Sequence, residues 1–360
     1  MSGVAEWSET MTDCQRALEE RDHTVALALI RQAWSRAPAT SSKATVRTAL
    51  LHGSICQASA DWEGAERMFR LAVHIADDQH SRVAPGLRLQ AQARLGGIHR
   101  ARGRYAEAEQ ILCDALAACS TNTDPVDMAT LCNELGMLYK YSGNFDAAAL
   151  LYDRALTLLE SAFAPDHPLL ASIWHNIGGL AHARGDYQAA EEPARRAIVI
   201  RQKALGPDHF AVATDKAALA PILLELGHID EAERLLRDAL AVFHTHLGDI
   251  HYEVAITLHN LGGIAHRQQR AQDAEDCFRR ALTIKEHLLG ADHPDLASTL
   301  NNLALLHRKA GDTTSAQKLY TRAQHILAPT VRPDHPTLRA IRHALTSLSQ
   351  TQGKQLPHRL

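Results

Sequence analysis

The sequence repeats itself at a 42-residue interval. Ala155, Ala197, Ala239, Ala281 and Ala323 form one column at that spacing, and Ala148, Ala190, Ala232, Ala274 and Ala316 form a second. Asp166-His167-Pro168, Asp208-His209, Asp292-His293-Pro294 and Asp334-His335-Pro336 open the units, with Ile250-His251 as a degenerate fifth. A period of this length marks a stacked array, in which a unit buries its apolar face only against its neighbours. Counted from the Asp slot as position 0, further units open at Asp124 and Ala84, and looser ones near Ser41 and Ser2.

Within a unit the pattern is helical. Leu131, Leu135 and Leu138 share a face before Gly143; Ala148, Leu151, Tyr152, Ala155 and Leu159 share one after it. Gly103, Gly143, Gly185, Gly227 and Gly311 all fall at position 19, where two helices turn, and Gln269 takes that slot in the unit from Ile250. Proline after Asp-His suits the first turn of a helix, and Gly206, Gly248 and Gly290 suit the residue just past the second helix. Gly136, Gly178, Ala220, Gly262 and Ala304 at position 12 let the paired helices approach closely. These features predict an all-α, right-handed α-solenoid of about eight antiparallel helix pairs, closed by a capping helix over Pro336 to Leu348. Residues 2–348 read as one solenoid, with 2–40 matching less well, and 349–360 as a flexible polar tail.

The unit from Asp292 to Ala323, DHPDLASTLNNLALLHRKAGDTTSAQKLYTRA, resembles the tetratricopeptide repeat in the long form found in kinesin light chains. The preceding unit departs at its start but keeps Leu258-His259-Asn260-Leu261-Gly262. The resemblance implies that the first helices line a concave groove, with positions 6, 9, 10, 13 and 16 facing it. Position 9 then supplies Asn133, His175, Ala217, His259 and Asn301, and position 10 supplies Glu134, Asn176, Ala218, Asn260 and Asn302. Position 16 supplies Arg100, Lys140, His182, Leu224, His266 and Arg308. Asparagine both donates and accepts, so a row of asparagines can bracket the backbone of an extended peptide. Lys140 and Arg308 would add attraction for carboxylates. The implied function is an adaptor or regulatory module that docks a protein or peptide segment, with acidic groups favoured.

Composition narrows the alternatives. Lys and Arg total 38 against 41 Asp and Glu, a net charge of −3, which removes the global electrostatic case for nucleic acid or an anionic membrane. The N-terminus lacks a basic stretch followed by an apolar one, and apolar runs are far shorter than a membrane span needs. The six cysteines are scattered with no Cys-x-x-Cys pair, so we expect reduced thiols and a cytoplasmic location. Oligomeric state is left open.

Of the 22 histidines, His167, His209, His251, His293 and His335 belong to the phased turn element and read as structural. His80 and His358 read as surface or loop positions. His175 and His182 are too far apart on one helix to share a zinc ion, and no His-Glu-x-x-His sequence occurs, so neither a metal nor a cofactor is expected. A groove sensitive to pH near 6.5 is the more natural expectation for His175, His182, His259 and His266.

The unit from Asp208 breaks the pattern. Phe210 replaces proline, Lys216 stands where its neighbours place Trp174, Leu258 and Leu300, and Pro221 falls inside the first helix. Ala217 and Ala218 leave room for a hollow bordered by Asp215, Lys216 and Glu225, which would make a small-ligand or catalytic pocket with His175 and His259. Equally, the unit has drifted and its proline only alters curvature. The absence of a phosphate-binding glycine loop or a nucleophile elbow leans against an enzyme, and no catalytic residue is assigned.

Overall fold

The computed structural model describes residues 2–38, 41–78 and 83–354. His80, His358 and the tail beyond Lys354 lie outside them. Among the described residues there are helices and no strands. The helices pair as α1 (Ser2–Glu19) with α2 (His23–Arg36), α3 (Ser42–Ala58) with α4 (Trp62–Asp77), and α5 (Pro85–Ala101) with α6 (Tyr105–Ala117). α7 (Pro125–Ser142) and α8 (Phe145–Ala162) follow in the chain, and then come the pairs α9 (Pro168–Arg184) with α10 (Tyr187–Leu205) and α11 (Phe210–Glu225) with α12 (Ile229–Leu247). The last pairs are α13 (Tyr252–Arg267) with α14 (Ala271–Leu289) and α15 (Leu296–Lys309) with α16 (Thr313–Leu327), followed by α17 (Pro336–Lys354). The final helix thus runs past Leu348, where the sequence ended it.

The turn at position 19 is left-handed throughout. Gly103, Gly143, Gly185, Gly227 and Gly311 have φ between 72° and 89°. Gln269 adopts the same conformation at φ 62°, and so do Arg21 (61°) and Ala60 (58°) at position 19 of the two loosest units. The turn geometry therefore confirms the phase of the repeat even where the glycine has been lost. The two alanine columns are buried throughout. At position 12, a Cβ on Gly178 would sit 3.1 Å from the Ala190 carbonyl oxygen and the Ala194 amide nitrogen, so these helices pack backbone to backbone.

The chain forms two compact units. One comprises residues 1–138 with 157–162, the other 139–156 with 163–360. In the first, Trp7, Cys14, Ala26, Ile30 and Ile55 form a core under α1 to α3, and Asp22, Ser41 and Asp61 cap the helices that follow them. Glu66 anchors a charged cluster there with Arg70, Arg102 and Arg104. Burial opposes ionisation of Glu66, but Arg104 outweighs it and holds the carboxyl at about 2.

In the second unit four of the five turn histidines cap a helix, while Nδ1 of the fifth, His335, is buried without a hydrogen-bond partner. The backbone N–H groups of Leu169, Ala211, Glu253 and Asp295 donate to Nδ1 of His167, His209, His251 and His293 at 3.1–3.4 Å, satisfying an otherwise orphaned helix N-terminal donor. Successive first helices approach one another (α9 and α11, α11 and α13, α13 and α15, α15 and α17), whereas among the described residues successive second helices do not. The first helices therefore form the inner layer of this unit. Pro221 does not end α11, which continues to Glu225.

Candidate docking face

The inner layer of the second unit carries Lys140, His175, Asn176, His182, Asp215, Lys216, Ala217, Ala218, Glu225, His259, Asn260, His266, Asn301, Asn302 and Arg308; Asn133 belongs to the first unit. Their environments differ sharply. Asn260, Lys216 and Arg308 are half-buried, Asn176 and Asp215 are buried, and Glu225 is exposed and paired with Arg267 at 2.8 Å. Ala217 is 3% exposed and lies in a core cluster with Val212, Leu219 and Leu258.

Asp215 is the keystone of the irregular unit. His175 Nδ1 lies 2.8 Å from its Oδ1, and Arg201 Nε donates to its Oδ2 at 2.6 Å. This carboxylate, 2% exposed, thus bridges α9, α10 and α11 instead of bordering an open hollow. Two units on, the same repeat positions carry Lys285, Thr299 and His259. Lys285 Nζ donates to the Asp295 carbonyl at 3.2 Å and to Thr299 Oγ1 at 3.3 Å, and His259 Nδ1 lies 3.0 Å from that same hydroxyl. Asn302 Nδ2 reaches His259 Nε2 at 3.4 Å, and Asn301 Nδ2 donates to Asn302 Oδ1 at 3.4 Å. The recurrence of one arrangement, histidine to polar residue to cation, identifies it as a device that locks neighbouring units together.

Burial decides the charge state of the imidazoles. It pushes His259 down to about 3, with the nearby Lys285 charge adding to the effect. His182 and His266 are lowered by burial first, and Lys140 and Lys309 respectively add to that. Lys309 Nζ also donates to His266 Nε2 at 2.9 Å. His182, His259 and His266 are therefore neutral at physiological pH, and their protonation lies below the value near 6.5 expected from the sequence. Positive charge on this face rests on Lys140, Lys216, Arg308 and Lys309. Among the described residues no cluster of three metal-ligating side chains occurs, and no helix is long and apolar enough to cross a membrane.

Models of the tetratricopeptide repeat match residues 88–120, 126–203, 217–287 and 253–327. The chain belongs to the tetratricopeptide-repeat family. No curated protein matches its sequence. Its fold is similar to that of a Rap protein complexed with competence and sporulation factor, at 12% identity and a TM-score of 0.60, over 98% of this chain and 100% of that one. It is also similar to a signal-transduction ATPase with a tetratricopeptide-repeat sensor from Pyrococcus horikoshii (13% identity, TM-score 0.51), over 92% of this chain and 50% of that one. Kinesin light chain repeats from Podosopora anserina share 22% identity over 58% of this chain and 98% of theirs, with a TM-score of 0.41.

Within this tetratricopeptide-repeat array, the sequence alone did not reveal Arg201, Lys285 and Thr299. A signal was present: Arg201 and Lys285 share position 35 with Leu159, Phe243 and Leu327, so two cations interrupt an apolar column. Tyr252 was likewise missed. Its hydroxyl donates to Asp295 Oδ2 at 2.5 Å, and burial, reinforced by that carboxylate, raises its pKa well above the ordinary value.

Proposed function

We propose that the inner face of the second unit docks an extended segment of a partner protein, making this chain a non-enzymatic cytoplasmic adaptor or regulatory module. The observation that carries this reading is the layering: the first helices converge on one side and present Asn260, Asn301, Asn302, Lys140 and Arg308 along it. His175, Asn176, His182, His259 and His266 act mainly by holding that face in shape; Asn133 belongs to the first unit and is not part of this face. Membership of a repeat family whose arrays present such surfaces supports the reading, and the cationic Lys140 and Arg308 favour acidic partners.

The test is selection of peptides from a displayed random library on the purified chain, followed by affinity measurement with Asn260→Ala and Asn301→Ala. Loss of tenfold or more at an unchanged melting temperature is expected. Unchanged affinity in both variants overturns the assignment. A ligand or catalytic pocket around His175, Lys216 and His259 is disfavoured, because both imidazoles are committed to bonds with the next unit and Ala217 is packed in the core.

A further inference from the structure

A cleft of about 770 Å³ lies between α15, α16 and α17. Leu305, Tyr320, Ala340 and Ala344 give it an apolar floor, while Arg308, Arg339, Arg342 and His343 stand around it with Asn301. None of the lining residues is acidic. The arginines come from two directions: Arg308 from α15, and Arg339, Arg342 and His343 from one face of α17, at the three- and four-residue spacing that brings helical side chains together.

These groups differ from the arginines that bridge neighbouring helices of the second unit. Arg201, Arg267, Arg270 and Arg322 each meet a carboxylate. Arg342 Nη1 donates to the Pro333 carbonyl at 3.2 Å, which fixes that side chain at the rim but leaves its charge uncompensated. Arg308 and Arg339 form no ion pair among the described residues, and His343 has no hydrogen-bond partner there. Pro336, the first residue of α17, also lines the cleft. Three guanidinium groups with no carboxylate among them repel one another, and a multiply charged anion would relieve that repulsion. A guanidinium fork matches two oxygens of a phosphoryl group, and the volume falls in the range that takes a small organic molecule.

We infer that this cleft binds a small phosphate ester, its phosphoryl dianion held by Arg308, Arg339 and Arg342 and its organic group resting on Leu305, Tyr320 and Ala344. The site shares Asn301 and Arg308 with the proposed docking face, but Arg339, Arg342 and His343 on α17 are not among the residues to which docking is assigned.

Calorimetric titration of the full chain with phenyl phosphate provides the test, with inorganic phosphate, benzyl alcohol and citrate as comparison probes. Saturable binding of phenyl phosphate is expected, weakened at least tenfold in Arg339→Gln and in Arg308→Gln. Inorganic phosphate should bind more weakly and benzyl alcohol should show no saturation. Arg339→Gln alters an exposed side chain, so an unchanged melting temperature separates lost binding from lost folding. Undiminished affinity in Arg339→Gln, absence of saturation with phenyl phosphate, or equal affinity for citrate overturns the inference. Loss of peptide docking in Asn260→Ala with phenyl phosphate binding intact tests the two proposals separately.

Discussion

Arg201 and Lys285 occupy the same position two repeats apart, yet Arg201 meets the carboxylate of Asp215 whereas Lys285 meets only a hydroxyl and a backbone carbonyl. The two cations should therefore answer substitution in opposite ways. Arg201→Met leaves a buried carboxylate with only His175 beside it, and a loss of about 3 kcal/mol is expected. Lys285, whose pKa is lowered by burial, gains little from its partners, so Lys285→Met should leave stability unchanged or raise it by about 1 kcal/mol. Urea unfolding of both variants checks this; destabilisation of similar size in both would mean that the cation itself, and not its carboxylate, matters.

His259 gives the fold an acid sensitivity. Its folded pKa of about 3 lies below the ordinary 6.5, so between these values the unfolded chain takes up a proton that the native chain does not. Stability contributed by the neutral ring is complete above pH 6.5 and declines as pH falls toward 3, by up to about 1 kcal/mol per pH unit. Unfolding free energies measured from pH 7 to pH 4 should fall less steeply for His259→Asn than for the unaltered chain. Equal slopes would place the imidazole in solvent.

The left-handed turns offer a stabilising substitution. Ala60 and Gln269 hold φ values of 58° and 62°, which cost a residue with a Cβ about 1–2 kcal/mol. Ala60→Gly and Gln269→Gly should each raise stability by about 0.5–1 kcal/mol after the greater entropy of glycine in the unfolded chain is offset. Thermal melting that shows no gain for either variant would mean that these turns carry no strain.

Gly178 tests the close approach of α9 and α10. An added methyl would press on backbone atoms of α10 at 3.1 Å, and backbone cannot rotate out of the way. Gly178→Ala is expected to cost about 1–3 kcal/mol, although alanine is the better helix former. Gly263 sits on the same kind of helix with its nearest neighbour at 3.8 Å, and Gly263→Ala should be neutral or stabilising. Denaturation curves for the pair decide whether packing or propensity governs these positions.

What could be read in advance depended on how local each requirement was. The period of the alanine columns and the turn at position 19 rest on fixed spacings and hold throughout, and the turn histidines cap a helix at four of their five positions. Ala217 misdirected the reading of the irregular unit because it packs into the core and leaves no hollow. Asp215 looked free to line a hollow until the stacking of α9, α10 and α11 brought His175 and Arg201 onto its two oxygens.

The amino-acid sequence by itself determined the helix pairs, their phase and their membership of a stacked array, because helix periodicity, left-handed turns and small-residue contacts are conditions on residues near one another or one period apart. Only the tertiary structure decided which polar groups are locked between units, which imidazoles are neutral, and that Arg308 and Arg339 face one cleft without a carboxylate. Those properties depend on burial and on side-chain approach between helices far apart in sequence, where a shift of a few ångströms separates a bonded charge from a free one.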